Sequence, residues 1–332
     1  MHNAQLPANK FSFIFVITYI LSINYALCIT DHCMSIKPRP LVAGDRIAIV
    51  SPASIIKPQV VYQAMPVIAE QGWTVYAADH AFDRHGTYAG TDDDRYADLE
   101  TALLDPDTRA IICSRGGYGS VHLLERLAKL PLRDDPKWIV GYSDISALHA
   151  LMNANDIESI HAPMCKHLAQ TKGRDADSQR LFALLRGENP VVALGRHPMN
   201  RRGQATGRLL GGNLAVTSGL IGSPYSSLLP DSILFIEDIA EPIYKVERIL
   251  YNLRLSGVLG SLRGLIVGRF TDYNPDGVNS SMEHMIARMV KDYDYPVAYG
   301  ASIGHVDHNI PMLCGSDATL TVVGGGATLT PA

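Results

Sequence analysis

Blocks of apolar positions alternate along this chain with amphipathic ones, and the alternation predicts strands and helices in turn. Arg46-Ile-Ala-Ile-Val-Ser51 is an apolar run of strand length, closed by Pro52-Ala53-Ser54, and helical spacing follows from about Pro58 to Gln71. Trp73-Thr-Val-Tyr76 reads as the next strand. Thr91 opens a helix that runs on from Arg95 to Leu104, with Asp92, Asp93 and Asp94 in its first turn, where the helix dipole favours acids. Ala110-Ile-Ile-Cys113 is a short strand that breaks into Ser114-Arg-Gly-Gly-Tyr-Gly119, after which Val121, Leu123, Leu124 and Leu127 mark a helix. Trp138-Ile-Val140 then runs into Gly141-Tyr-Ser-Asp144, and a helix-like segment follows at once. This order predicts an α/β domain: a parallel sheet with helices on both faces and sites beyond the carboxyl ends of its strands.

The pattern weakens over residues 166–206, where glycines, prolines and Arg201-Arg202-Gly203 suggest a linker with one helix near Asp177 to Leu185. A second, smaller α/β unit is expected over residues 207–330. Its strands are Ser232–Glu237, Gly264–Phe270 and Val297–Tyr299, and its helices run over Tyr244–Leu255 and Met282–Tyr293. Gly324-Gly-Gly326 between two alternating segments reads as a closing hairpin.

The chain has 332 residues, 47% hydrophobic and 19% charged, which suits about two domains and a large core. A net charge of −4 with scattered Lys and Arg argues against nucleic acid or an anionic membrane as partner. Cys28, Cys33, Cys113, Cys165 and Cys314 are odd in number and widely spaced, so neither a disulfide framework nor a Cys-x-x-Cys metal site is indicated. Cys113 and Cys165 read as buried small hydrophobes in a reducing compartment. Residues 1–33 are a separate apolar leader, uncharged from Phe11 to Thr30. A signal peptide, a membrane anchor and a translated upstream region are its three readings; the last, with Met34 as the start, is favoured because Met34 leads straight into the first strand.

Three strand ends carry polar residues suited to nucleophilic catalysis. Ser143 lies on the turn after strand 138–140, Glu237 ends strand 232–236, and His305 follows strand 297–299. A hydroxyl is a weak nucleophile at neutral pH and needs a base, and a carboxylate fixes the tautomer of a histidine base. Solvated loop residues or ordinary ion pairs are the plain alternative for Glu237 and His305. Gly116 and Gly117 let backbone approach a ligand closely, and the N–H groups of Gly117 and Asp144 make a candidate oxyanion hole. His161, Cys165 and His167 lack a fourth partner at zinc spacing, and Asp92 to Asp94 do not alternate as in a calcium loop, so no metal is expected.

Taken jointly, five segments resemble the LD-carboxypeptidases, serine peptidases that include the microcin C self-immunity hydrolases. They are Arg115-Gly-Gly-Tyr-Gly119, Gly141-Tyr-Ser-Asp-Ile-Ser146, Gly211-Gly-Asn-Leu214, Phe235-Ile-Glu-Asp238 with Glu247-Arg248, and Gly304-His305 ahead of Asn309. The resemblance implies a nucleophile-bearing domain over residues 38–165, of the flavodoxin or class I amidotransferase type, and a carboxyl-terminal domain bearing Glu and His. It puts the nucleophile on Ser143, the carboxylate on Glu237 and the base on His305. The implied activity is cleavage of the bond between an L-centre and a terminal D-alanine in murein tetrapeptide, in cytoplasmic cell-wall recycling. No cofactor and a homodimer are expected. An anionic peptide terminus calls for a cation, with Arg115 and Arg248 as candidates and Gly116 beside them. His161-Ala-Pro163 departs from the family's His-Gly-Pro, and the leader is outside its pattern. Two rivals are an immunity-type hydrolase of peptidyl or aminoacyl nucleotides and a non-enzymatic cell-wall peptide-binding protein.

Overall fold

The computed structural model describes residues 35–332; the leader, with Cys28 and Cys33, lies outside the described residues. The first sheet contains β1 (Arg46–Val50), β2 (Thr74–Ala77), β3 (Thr108–Cys113), β4 (Trp138–Gly141) and β5 (Ser159–His161). They lie in the order β2-β1-β3-β4-β5 with every neighbouring pair parallel, the flavodoxin-like doubly wound order. Alternate residues of each strand face opposite layers. Ile47 and Ile49, Ala110 and Ile112, and Trp138 and Val140 enter one core, while Ala48 and Val50, Ile111 and Cys113, and Ile139 enter the other. A strand buried on both faces has no polar side, which is why these strands read as unbroken apolar runs.

One layer includes α1 (Pro58–Ala69), and the other includes α2 (Asp92–Leu104), α3 (Leu124–Leu127) and α4 (Ser146–Ala154). α2 has the three acids in its first turn, and Thr91 and Asp94 form a reciprocal capping box there. Residues 166–206 are not a linker. They hold most of α5 (Cys165–Thr171), all of α6 (Ala176–Leu185) and β6 (Val192–Arg196). α6 buries Leu181, Phe182 and Leu185 completely against the α1 side of the sheet, each worth roughly 1.5–3 kcal/mol of apolar transfer. Asp175 caps it by accepting from the Asp177 and Ser178 N–H groups.

The second sheet takes β6 as an edge strand and β7 (Gly203–Asn213), which caps into α7 (Leu214–Ser218). It continues with β8 (Ser232–Ile239), α8 (Ile243–Leu255), β9 (Gly264–Thr271), α9 (Met282–Met289) and β10 (Val297–Tyr299). β11 (Met312–Cys314), β12 (Asp317–Val323) and β13 (Gly326–Pro331) close the chain. The order is β10-β9-β8-β7-β12-β13-β6, parallel from β10 to β7 and antiparallel beyond. Gly324 and Gly325, at φ 58° and 82°, make the two-residue turn between β12 and β13. β11 leaves this half and pairs antiparallel with β5 at the edge of the first sheet. Leu313 enters the first sheet's core while Met312 and Cys314 enter the second's, so three residues tie the two layers together. Cys113, Cys165 and Cys314 are free thiols and fully buried. Burial pushes the Cys165 and Cys314 thiols up to about 12. Among the described residues no helix is long and apolar enough to cross a membrane.

Candidate active site

β4 ends at Gly141, Tyr142 stays extended, and Ser143 turns sharply to φ +66° before a tight turn leads into α4. A left-handed serine costs about 1–3 kcal/mol and persists only where its surroundings hold it. Here they do so through glycine. A Cβ at Gly141 would lie 2.9 Å from Ile145 Cγ1, and one at Gly116 would lie 2.9 Å from Ser143 Cβ. The turn therefore folds back on Gly141 and presses against the glycine loop after β3. Asp144 is buried and its Oδ2 accepts from the Ser120 N–H at 2.9 Å, anchoring that loop from its far end.

Glu237 follows the apolar run of β8, in register with Asn213 of β7, and is fully buried. His305 Nδ1 lies 2.9 Å from Glu237 Oε2 and its Nε2 lies 3.0 Å from Ser143 Oγ. A carboxylate only accepts, so the proton sits on Nδ1, and Nε2 is left to accept from the serine hydroxyl. Burial opposes a charge on His305. The hydrogen bond and field of Glu237, with Asp238 and Asp272 farther off, outweigh it and hold its pKa above the ordinary histidine value. The Tyr142 ring packs 5.0 Å from the His305 ring, centre to centre. At Gly304, φ +115°, a Cβ would come within 2.5 Å of Glu237 Oε2, so only glycine brings the histidine this close to its carboxylate.

The loop after β3 offers backbone donors. Gly116 C=O accepts from Ser54 N–H at 3.4 Å and from Arg115 Nε at 3.2 Å. In a trans peptide the Gly117 N–H points the opposite way, and it has no acceptor among the described residues. The Asp144 N–H lies in the first turn after Ser143, where helix donors are free. Such an array can deprotonate a hydroxyl and hold negative charge on a neighbouring oxygen, the requirements of acyl transfer.

Residues 47–162 match the family model of the LD-carboxypeptidase N-terminal domain, and residues 206–320 match that of its C-terminal domain. The chain belongs to the LD-carboxypeptidase family. It is 33% identical over 288 residues to a putative carboxypeptidase of Synechocystis, covering 86% of this chain and 94% of that one. It is 30% identical to the murein tetrapeptide carboxypeptidase of Pseudomonas aeruginosa, covering 83% and 92%. Its fold matches the muramoyltetrapeptide carboxypeptidase of Oxalobacter formigenes with a TM-score of 0.76, at 27% identity, over 86% of this chain and 97% of that one. It also matches the microcin C7 self-immunity protein MccF in complex with glutamyl sulfamoyl guanosine, with a TM-score of 0.76 over 89% and 98%; at 19% identity that likeness speaks for the fold alone. Membership makes the protein a peptidase, a hydrolase.

The candidates from the sequence fare differently. Ser143, Glu237, His305, Gly116, Gly117 and Asp144 come together as described. Arg115 is exposed beside Gly116; it donates to Ile55 C=O at 3.0 Å and has no acidic partner among the described residues. Arg248 is exposed on α8 with its guanidinium 5.6 Å from the Tyr244 ring, and no hydrogen bond or ion pair links it to the other six. His161 is fully buried with both ring nitrogens unpartnered, and burial holds it well below the ordinary histidine pKa, so it is a neutral wall behind Tyr142. Ala162 fits the place of the family's glycine, fully buried, its N–H on Gly141 C=O at 3.0 Å.

Sequence reasoning missed the supports. Ser54 sits under Gly117, where a Cβ would be 2.1 Å from its Oγ. Asn213 N–H donates to Ser146 Oγ at 2.9 Å and its amide donates to Asp238 at 2.9 Å, joining the second sheet to α4. Gly212 makes that approach fit, since a Cβ there would meet Ser146 Oγ at 2.5 Å. The Gly211-Gly-Asn-Leu214 segment carried the signal, as a glycine pair ahead of a capping asparagine, without showing which layer it meets.

Proposed function

We propose that this peptidase is of the serine type and releases the terminal D-alanine of murein tetrapeptide, with Ser143, His305 and Glu237 as its catalytic residues. The observation that carries this reading is the unbroken chain Glu237–His305–Ser143, with contacts of 2.9 and 3.0 Å, ending on a left-handed serine. The reading is supported as well by the murein tetrapeptide carboxypeptidase of P. aeruginosa, which matches nearly end to end.

In this reading His305 Nε2 takes the hydroxyl proton as Ser143 Oγ bonds to the scissile carbonyl carbon. The carbonyl electrons move onto oxygen, where the Gly117 and Asp144 N–H groups receive them. His305, now an imidazolium facing Glu237, gives its proton to the leaving nitrogen as the C–N bond breaks and D-alanine departs. Water then repeats the sequence: its proton goes to His305, its oxygen to the acyl carbon, and Ser143 recovers its hydrogen. Arg115 receives the substrate's terminal carboxylate. The setting is cytoplasmic cell-wall recycling.

Murein peptide is preferred to an aminoacyl nucleotide for a specific reason. Trp73 and Trp138 are buried, so neither tryptophan is free to stack on a base. The test assays Ser143→Ala on a tetrapeptide ending in D-alanine, with the wild type run in parallel on an aminoacyl-sulfamoyl adenylate. Loss of all turnover in Ser143→Ala and a wild-type preference for the tetrapeptide are expected. Near wild-type turnover by Ser143→Ala would sink the serine mechanism, and preference for the adenylate would sink the substrate.

A further inference from the structure

His305 is carried by an irregular loop between β10 and β11, with no strand or helix to hold it. The hold comes from the other layer. Asp177, in the first turn of α6, is buried, and its Oδ2 takes two donors from this loop: His308 Nδ1 at 2.7 Å and Asn309 N–H at 2.9 Å. Asn309 in turn accepts the Gly304 N–H on its side-chain oxygen at 2.9 Å. One carboxylate thus begins a relay that ends on the N–H of Gly304, the residue immediately before His305. A buried carboxylate receiving two donors resists displacement more than a neutral acceptor, because charge-assisted bonds are roughly twice as strong. The relay acts on the one catalytic side chain whose place depends on loop geometry; Glu237 is set by β8, and Ser143 by β4 and its glycines.

We propose that Asp177 is a positioning residue for catalysis, holding the His305 loop in register with Ser143 from 128 residues away along the chain. The distance is that from Asp177 to His305. The inference rests on His305 being the base. Its function is alignment rather than substrate contact, so its loss slows proton removal from Ser143 and leaves substrate affinity nearly unchanged.

The experiment is active-site titration with a fluorophosphonate, whose amplitude counts folded sites and whose rate reports how well His305 activates Ser143, together with kcat and KM on the tetrapeptide. Asp177→Ala is expected to slow labelling and lower kcat tenfold or more, with KM within twofold. Asp177→Asn, whose amide oxygen can take the place of Oδ2 without its charge, is expected to recover part of the rate. A labelling rate in Asp177→Ala within fivefold of wild type overturns the proposal, whatever the amplitude. Should that variant not fold, His308→Ala removes one of the two donors from an exposed ring; a labelling rate lowered threefold or more supports the relay, and a smaller change overturns it. Wild-type labelling by His305→Ala would instead defeat the triad reading itself.

Discussion

Glu237→Gln isolates the electrostatic half of the triad, because it keeps the shape of the side chain and removes its charge. Glu237 is fully buried and its Oε2 is 2.9 Å from His305 Nδ1. While His305 is neutral this is one hydrogen bond. Once the imidazole takes the serine proton, it becomes an ion pair with charge centres about 4 Å apart, worth about 4 kcal/mol at an effective dielectric of about 20. An amide cannot supply that term, so kcat/KM is expected to fall about 10³-fold. The pH profile should move too. His305 must be neutral to accept a proton, so activity rises with pH through its pKa. In the wild type that limb lies above the ordinary histidine value, because Glu237 outweighs burial. With the carboxylate gone, burial prevails and the limb moves to lower pH. Steady-state rates on the tetrapeptide from pH 5 to 9 read both effects. A loss of less than tenfold, or a limb that stays in place, would refute the reasoning.

Three further outcomes are expected. Gly304→Ala forces a Cβ to within 2.5 Å of Glu237 Oε2 at a φ of +115°, so it should separate His305 from its carboxylate and lower kcat at least tenfold; rates per folded molecule check it. Arg115→Ala should raise KM about tenfold for the tetrapeptide, the scale of a charged hydrogen bond, and leave KM unchanged for the same peptide with an amidated terminus. His149 is fully buried, with Nε2 donating to Gly141 C=O at 2.8 Å and Nδ1 accepting from Ser159 at 2.9 Å, and burial pushes its pKa down to about 4. Its folded pKa is depressed, so its contribution is complete above about pH 6.5 and is lost as pH falls toward 4, by up to about 3 kcal/mol. Urea denaturation across that range should show the loss, and His149→Gln should lack this component.

The first half of the fold was legible because its strands are buried on both faces and end abruptly in polar or glycine-rich turns. Ser143 and Glu237 stood out for the same reason: each is the first polar group after an apolar run. β6 and β7 were obscured by their composition. β7 contains four glycines and pairs at its start with the polar face of β12, so neither alternation nor β-branching marks it. β11 is three residues long and returns to a sheet formed 150 residues earlier, a pairing no local pattern announces. The supports of the site were hidden likewise. In the sequence Asp177 marks only the approximate start of a helix, and its bonds to His308 and Asn309 span more than 130 residues. Arg248 is a candidate for its charge and its place in a segment that carries the resemblance, and its guanidinium packs instead against Tyr244 of its own helix.

The central claim is that Ser143 is the nucleophile and His305 its base, and peptide mapping after fluorophosphonate treatment tests it most directly. The account predicts one phosphonyl group per active chain, on Ser143, with tetrapeptide turnover lost in proportion to labelling and no labelling in His305→Ala. A fully labelled enzyme that still turns over the tetrapeptide, or an unlabelled wild type that is fully active, would contradict it.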